Sequence, residues 1–215
     1  MDFVKISTVL LVGFLVTGCG PATIDGSSEI AFKDSIKAVA QQLPETEREQ
    51  FGNQVIGVYL NIRTDMTGTI DAIGDVGSSA RHAMDGMSKD DVVARFRHFE
   101  MRSEIREQVV SGVNLAAGAR AAVGEYYWDL GKFPENNSQA GVTEADAINV
   151  EGVLSVTVLP DGRIEVLYGN GTHDELDGKT IFWIASATSS SEPNWSCSSE
   201  DISDNLLPDY CKSYQ

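Results

Sequence analysis

Three cysteines and three histidines are the most reactive side chains in this 215-residue sequence, and their spacing limits what they can do. Cys19 stands just after an apolar run, Ile6 to Val16, that follows a short start, Met1 to Lys5, carrying one lysine. Cys197 and Cys211 bound a segment of 15 residues. As a disulfide they would constrain the unfolded chain by about 3 kcal/mol. As zinc ligands they would need two further donors, and no histidine lies near them. No two of His82, His98 and His173 fall at metal-ligand spacing on one face, so they read as surface or half-buried side chains. The run Thr172-His173-Asp174-Glu175-Leu176-Asp177 sets a base among acids but brings no nucleophile motif and no oxyanion donors. It also lacks the alternating ligands of a calcium loop and reads as a solvated acidic loop. No catalytic residue, no metal site and no cofactor are expected.

The positive start, the apolar run and the small residues after it have the three regions of a secretory signal. Val16-Thr17-Gly18-Cys19 resembles the lipobox of bacterial lipoproteins. The resemblance implies cleavage before Cys19, acylation of its thiol and, with Gly20 rather than Asp following, delivery to the outer membrane of a Gram-negative bacterium. Two or three acyl chains at about 0.8 kcal/mol per buried methylene would make that membrane attachment permanent. The expected organisation begins with a signal peptide over 1–18 and a lipidated, flexible tether over 19–28.

The formal charge of −16 makes nucleic acid an improbable partner, because the field repels polyanions. With 42% hydrophobic and 22% charged residues the composition is that of a folded globular protein. The run Ile6 to Val16 falls far short of the ~20 residues that span a bilayer, so no integral membrane protein is expected. The charge is uneven: residues 134–215 hold 14 acids against 3 bases, whereas 87–132 hold 7 of each. That acidic surface favours a basic or cation-bridged protein partner over an anionic one.

Periodicity divides the rest. Phe32, Ile36, Val39 and Leu43 make one amphipathic stripe, and Phe51, Val55, Val58 or Tyr59, and Ile62 make another after Pro44, predicting a helical hairpin. Thr64 to Gly86 reads as a loop with one marginal helix. Ser88 with Asp91 three residues on is a capping signal for a helix burying Val92, Phe96 and Phe99. Ile105, Val109, Val113, Ala116, Ala119, Val123 and Tyr127 form a second stripe, offset across Glu100 to Glu104. One helix with a rotated face and two helices with a break both fit that offset. The boundary is expected near residue 100, with a small helical module over 29–99 and a second domain over 100–215. Beyond Tyr127 the period becomes two. Val153 to Leu159 and Arg163 to Tyr168 flank Pro160-Asp161-Gly162 as a hairpin, Thr180 to Ala187 is a third strand, and an edge is completed near Trp195. Helix on antiparallel sheet is the α+β solution. Trp128, Trp183 and Trp195 are expected to pack rather than to form a sugar platform.

The run Gly112 to Tyr127, GVNLAAGARAAVGEYY, resembles the second half of the spine helix of bacterial type IV pilins. Phe133-Pro134 with Asn136-Asn137, Ser155-Val156-Thr157-Val158, Tyr168-Gly169-Asn170-Gly171, Gly178-Lys179-Thr180, Asn194-Trp195-Ser196-Cys197 and Leu206-Leu207-Pro208-Asp209-Tyr210-Cys211 follow in pilin order. The resemblance covers about Glu107 to Cys211 and implies a globular pilin head. It also implies one disulfide, Cys197–Cys211, bounding a recognition loop that carries Glu200, Asp201, Asp204 and Asp209. Gly13-Phe14 could be mistaken for a prepilin cleavage site, but only Leu15 and Val16 continue the apolar run and the fifth position after such a cut is Gly18. In Asp25-Gly26-Ser27 and Asp85-Gly86-Met87-Ser88 the first module resembles small bacterial lipoproteins of uncharacterised function, which implies no activity.

The departure from the family pattern lies in Ser88 to Glu107. There a pilin buries a nearly uncharged helix at the filament axis, and this sequence carries Arg95, Arg97, Arg102, Arg106 and five acids. Burying unpaired charges costs several kcal/mol each. The sequence therefore predicts a non-enzymatic, lipid-anchored pilin-like head that binds pilin or pilus-machine proteins or an adhesion target. The alternatives are a decoy or inhibitor of pilus assembly or phage attachment and, from another class, a periplasmic hydrolase.

Overall fold

A computed structural model describes residues 21–67, 76–147, 150–187 and 192–212, which fall into two compact units divided between Phe96 and Arg97. The expected signal segment and Cys19 lie outside the described residues.

The first unit is helical. Helix α1, Glu29–Gln41, begins where the Ser28 hydroxyl accepts a hydrogen bond from the Ala31 amide at 3.1 Å. Helix α2, Glu45–Thr67, follows Pro44 and carries Glu45 and Glu47 at its positive end. Helix α3, Val76–Ala83, is short and falls within Thr64 to Gly86, the stretch expected as a loop with one marginal helix. Helix α4, Lys89–Leu115, opens on a reciprocal cap: Ser88 donates to the Asp91 carboxylate through its hydroxyl at 2.7 Å and its amide at 2.9 Å. Those bonds, the hydroxyl's foremost, hold the Asp91 carboxyl below its ordinary pKa. Phe32, Val39, Phe51, Val55, Val58 and Ile62 are buried as the stripes require, together with Ala80, Met84 and Val92.

Within the stretch expected as a flexible tether, Ile24 and Gly26 are buried and hydrogen-bonded to the rest of the unit. Ile24 is 1% exposed; its amide donates to the Met87 carbonyl and its carbonyl accepts from the Gly86 amide, both at 2.8 Å. The Gly26 amide donates to Asp85 Oδ1 at 2.8 Å. A β-carbon on Gly26 would lie 2.2 Å from the Arg81 carbonyl oxygen, so only glycine fits. The two short motifs of this module, around Gly26 and Gly86, are thus the halves of one clasp.

The second unit joins the rest of α4 and helix α5, Ala117–Leu130, to an antiparallel sheet. Of the two readings left open for the offset stripe, the continuous helix holds. α4 runs through Glu100–Glu104, burying Val92 in the first unit and Ile105, Val109 and Val113 in the second. The interruption comes later, at Ala116. After α5 ends on Gly131 in the left-handed region (φ 66°), a connection with a one-turn helix α6, Asn137–Ala140, leads to the sheet.

Strands β1 Val153–Leu159, β2 Arg163–Tyr168, β3 Thr180–Ser186 and β4 Asn194–Ser198 pair in sequence order. In the β1–β2 turn both Asp161 (φ 62°) and Gly162 (φ 74°) take a positive φ. Aspartate tolerates that region through its short polar side chain. One face of the sheet, with Val156, Val158, Ile164, Val166, Tyr168, Ile181 and Trp183, forms a single core with Ile105, Val109, Val113, Ala119 and Val123 of the helices. The architecture is α+β, a long spine helix on a four-stranded antiparallel sheet closed by a C-terminal disulfide, preceded by a helical module. Among the described residues no helix is long and apolar enough to cross a membrane.

Candidate functional site

The segment after β4 is held by five sets of contacts. Cys197 on β4 is bonded to Cys211 in the closing turn, with their Cα atoms 4.4 Å apart. Ser199 turns the chain: its hydroxyl donates to the Thr180 carbonyl at 2.6 Å and accepts from the Ile202 amide at 3.1 Å. Asp201 accepts from the Thr180 amide at 3.1 Å, satisfying the first donor of β3. Ile202, Leu206 and Leu207 are all buried in the sheet–helix core, so the apolar residues of this acidic loop anchor it. Finally, Arg102 of α4 reaches Glu175 at 2.9 Å and the Asn205 side-chain oxygen at 2.5 Å, while Arg106, one turn on, donates to the Asn205 carbonyl at 3.0 Å.

The four candidate recognition acids separate in this frame. Glu200, Asp201, Asp204 and Asp209 are all exposed. Asp201 caps β3, and Asp209 pairs with Lys212, whose hydrogen bond and charge lower its carboxyl pKa. Glu200 and Asp204 carry the outward charge of the loop. Sequence reasoning missed Arg102, Arg106 and Asn205. The available signal was the spacing of the two arginines, one turn apart and bracketing Ile105 on the buried stripe.

The other candidates scatter. His82 is exposed, with Nδ1 2.7 Å from the Ser78 carbonyl. His98 is exposed beside Phe99, and half-buried His173 shapes its own turn by accepting from the Glu175 amide at 3.2 Å. Leu176 in that acidic run is fully buried, and Glu175 partners Arg102. No group of three or more potential metal ligands occurs among the described residues.

The tryptophans do not behave alike. Trp183 is buried beneath the Arg120 guanidinium, 3.8 Å from the ring centroid, and stacks on Tyr210. Trp195 is half-buried. Trp128, expected to pack, is 61% exposed; it follows core-facing Val123 by five residues, which at about 100° per residue turns it off the sheet-facing side. Trp128 and Trp195 line an open groove of about 710 Å³ with Arg120, Gly124, Glu125, Asp129 and Glu192.

The sequence profile of the pilin family, described as pilin (bacterial filament), matches residues 106–212. A family of unknown function, DUF6694, matches residues 5–93. The chain is 34% identical over 112 residues to the fimbrial protein EcpC of Eikenella corrodens, a match covering 50% of this chain and 71% of that protein. It is 36% identical over 77 residues to the type IV major pilin protein PilE1 of Neisseria gonorrhoeae, covering 35% of this chain and 47% of the relative. A fimbrial protein of Neisseria meningitidis serogroup A is 34% identical over 76 residues, with 35% and 45% covered. The chain thus spans less than half the length of these Neisseria relatives. A spine helix on a four-stranded sheet, a disulfide-closed terminal loop and these matches agree over one stretch of sequence, and through that stretch the chain belongs to the pilin family.

Proposed function

We propose that this protein is a non-enzymatic, lipid-anchored pilin-like protein, held in the outer membrane through Cys19, whose head serves type IV pilus function or adhesion by binding other proteins through its loops. The observation that carries this reading is a complete head on a helix whose preceding turns are charged. Arg102 and Arg106 are partnered by the head's own loops, while Arg97, Glu100, Glu104 and Glu107 are exposed on the same helix. A filament axis built from such turns would have to desolvate those charges, at several kcal/mol for each left unpaired. The exposed acidic residues of the disulfide loop, Glu200 and Asp204, supply the contact surface in this reading. In this reading a small helical module over 29–99 stands ahead of a pilin-like head over 100–215.

Deletion of the protein tests the reading. Loss of piliation or adhesion, with pilins enriched when the wild-type protein is purified from membranes, is the expected result. Unchanged piliation and adhesion with no pilus protein enriched would reject it. Hyperpiliation or gained phage sensitivity would favour the second reading, an inhibitor, which the same charged helix supports because a head that docks without a buriable stem terminates assembly. The anchor is read separately by mass spectrometry: a wild-type mature chain beginning at an acylated Cys19, and an unacylated Cys19→Ala variant.

A further inference from the structure

The groove beside Trp128 has an unusual lining for a surface this acidic. It runs along the outer face of α5, where Ala117, Ala121 and Gly124 leave room and Glu125, Trp128 and Asp129 stand at positions i, i+3 and i+4, so that two carboxylates flank one exposed indole. Pro193 and Trp195 form the opposite wall. Among the described lining residues the cation is Arg120, which is already laid over the buried Trp183 ring. Indole faces attract cations through the ring quadrupole, and carboxylates beside them supply charge-assisted hydrogen bonds. A guanidinium or ammonium group satisfies both kinds of wall at once. An anion would meet Glu125, Asp129 and Glu192, and a second copy of the chain would bring its own charge of −16.

We infer that this groove receives a lysine or arginine side chain from a basic segment of a partner protein. The inference rests on the reading of the head as a binding module and gives its partner a chemistry. It adds to the loop surface of that reading a second contact, on α5 opposite Pro193 and Trp195. Association is steered by the acidic head and weakens with salt.

The full-length protein labelled with 5-fluorotryptophan, titrated with a capped Gly-Arg-Gly-Arg-Gly peptide, tests the inference by ¹⁹F NMR. Saturable shifts of the Trp128 and Trp195 signals are expected, with the Trp183 signal moving less. Glu125→Gln with Asp129→Asn should weaken the peptide about tenfold or more, since both charge-assisted partners are lost. Gly124→Leu should abolish binding by filling the groove without unfolding the helix, because a β-carbon there meets no atom within 4 Å. Absence of a saturable shift, a shift that survives undiminished in the carboxamide variant, or a response to maltotriose and not to the peptide would each overturn the inference. Enrichment of pilus proteins on the wild-type protein is a separate readout, so failure of the groove and failure of the pilus reading remain distinguishable.

Discussion

Gly112 of the spine helix lies against the ring of Tyr168 on β2: a β-carbon on the glycine would fall 2.5 Å from the ring, and one turn earlier the Val109 carbonyl accepts the tyrosine hydroxyl at 2.6 Å. The helix can approach the sheet this closely only because the residue facing Tyr168 has no side chain. Gly112→Ala is therefore expected to destabilise the head by about 1–3 kcal/mol despite alanine's better helix propensity, since overpacking outweighs propensity. Denaturant unfolding of the full chain, followed at the head, checks the sign. A stabilised variant would mean that the contact is loose.

Tyr168 also predicts a pH dependence. Burial, with a smaller contribution from Tyr210, raises its pKa well above the ordinary tyrosine value. A group whose folded pKa is raised leaves stability unaffected below the unfolded pKa, about 10. Above it the unfolded chain releases a proton that the folded one retains, so stability falls as pH rises toward the folded value. Tyr168→Phe should lower stability at neutral pH by about 1–2 kcal/mol through the lost hydrogen bond. It should also flatten the decline above pH ~10. Parallel denaturant series at neutral and alkaline pH for both proteins measure the difference.

Asn137 ties the connection after α5 to the open edge of β1. Its side-chain amide donates to the Thr143 and Val156 carbonyls at 2.7 and 2.9 Å and its oxygen accepts from the Val158 amide at 2.6 Å, all in a residue that is 4% exposed. Asn137→Leu keeps the branched outline of the side chain and strands three backbone groups, each worth about 1–3 kcal/mol when buried unsatisfied. Faster hydrogen exchange at Val158 is expected, along with a greater tendency to self-associate through the uncovered edge. Unchanged exchange at that amide would show that the edge is protected by other means.

Sequence periodicity was enough for most of the fold because the buried face of each element is continuous. The stripe Ile105, Val109, Val113 and the alternation along β1 and β2 are buried as read. It was not enough where order depends on single long-range bonds. Nothing local distinguishes Ile24 in a tether from Ile24 paired with Gly86 and Met87, or Asn137 in a loop from Asn137 bonded to β1. The site was half legible. The disulfide and the outward acids followed from motifs, whereas the Arg102 and Arg106 contacts with Asn205 join residues about a hundred positions apart. Trp128 departs from the expectation of packing because its phase against Val123, not its residue type, decides which face of α5 it occupies.

Gly26→Ala should unlatch the first unit. The obstructing atom is a backbone carbonyl, which cannot swing aside as a side chain would, so the segment from Ile24 to Ser28 must lift away. Ile24 then leaves its buried site, at a cost on the order of 2–4 kcal/mol. Limited proteolysis within residues 21–28 should become faster than in the wild type. Equal protection would mean that the clasp with Asp85 and Gly86 contributes little to order.

The terminal loop is held both by its disulfide and by non-covalent contacts, which makes its response to reduction a test of their relative weight. The Cys197–Cys211 bridge constrains the unfolded chain by about 3 kcal/mol for a loop of this length. Ile202, Leu206 and Leu207 are also buried, and Asn205 is bonded to Arg102 and Arg106, through contacts that do not involve the sulfur atoms. Cys197→Ser is therefore expected to lower the stability of the head while leaving residues 199–207 docked, with proteolysis confined to the chain beyond Pro208. Adding Arg102→Ala and Arg106→Ala should loosen the loop and cost more than the sum of the separate effects, because the bridge and the arginine contacts hold the same segment. Cleavage between Ser199 and Leu207 in the single cysteine variant would show that the arginines and the apolar anchors are too weak to hold the loop without the bridge. The outward acids Glu200 and Asp204 would then owe their placement to the disulfide alone.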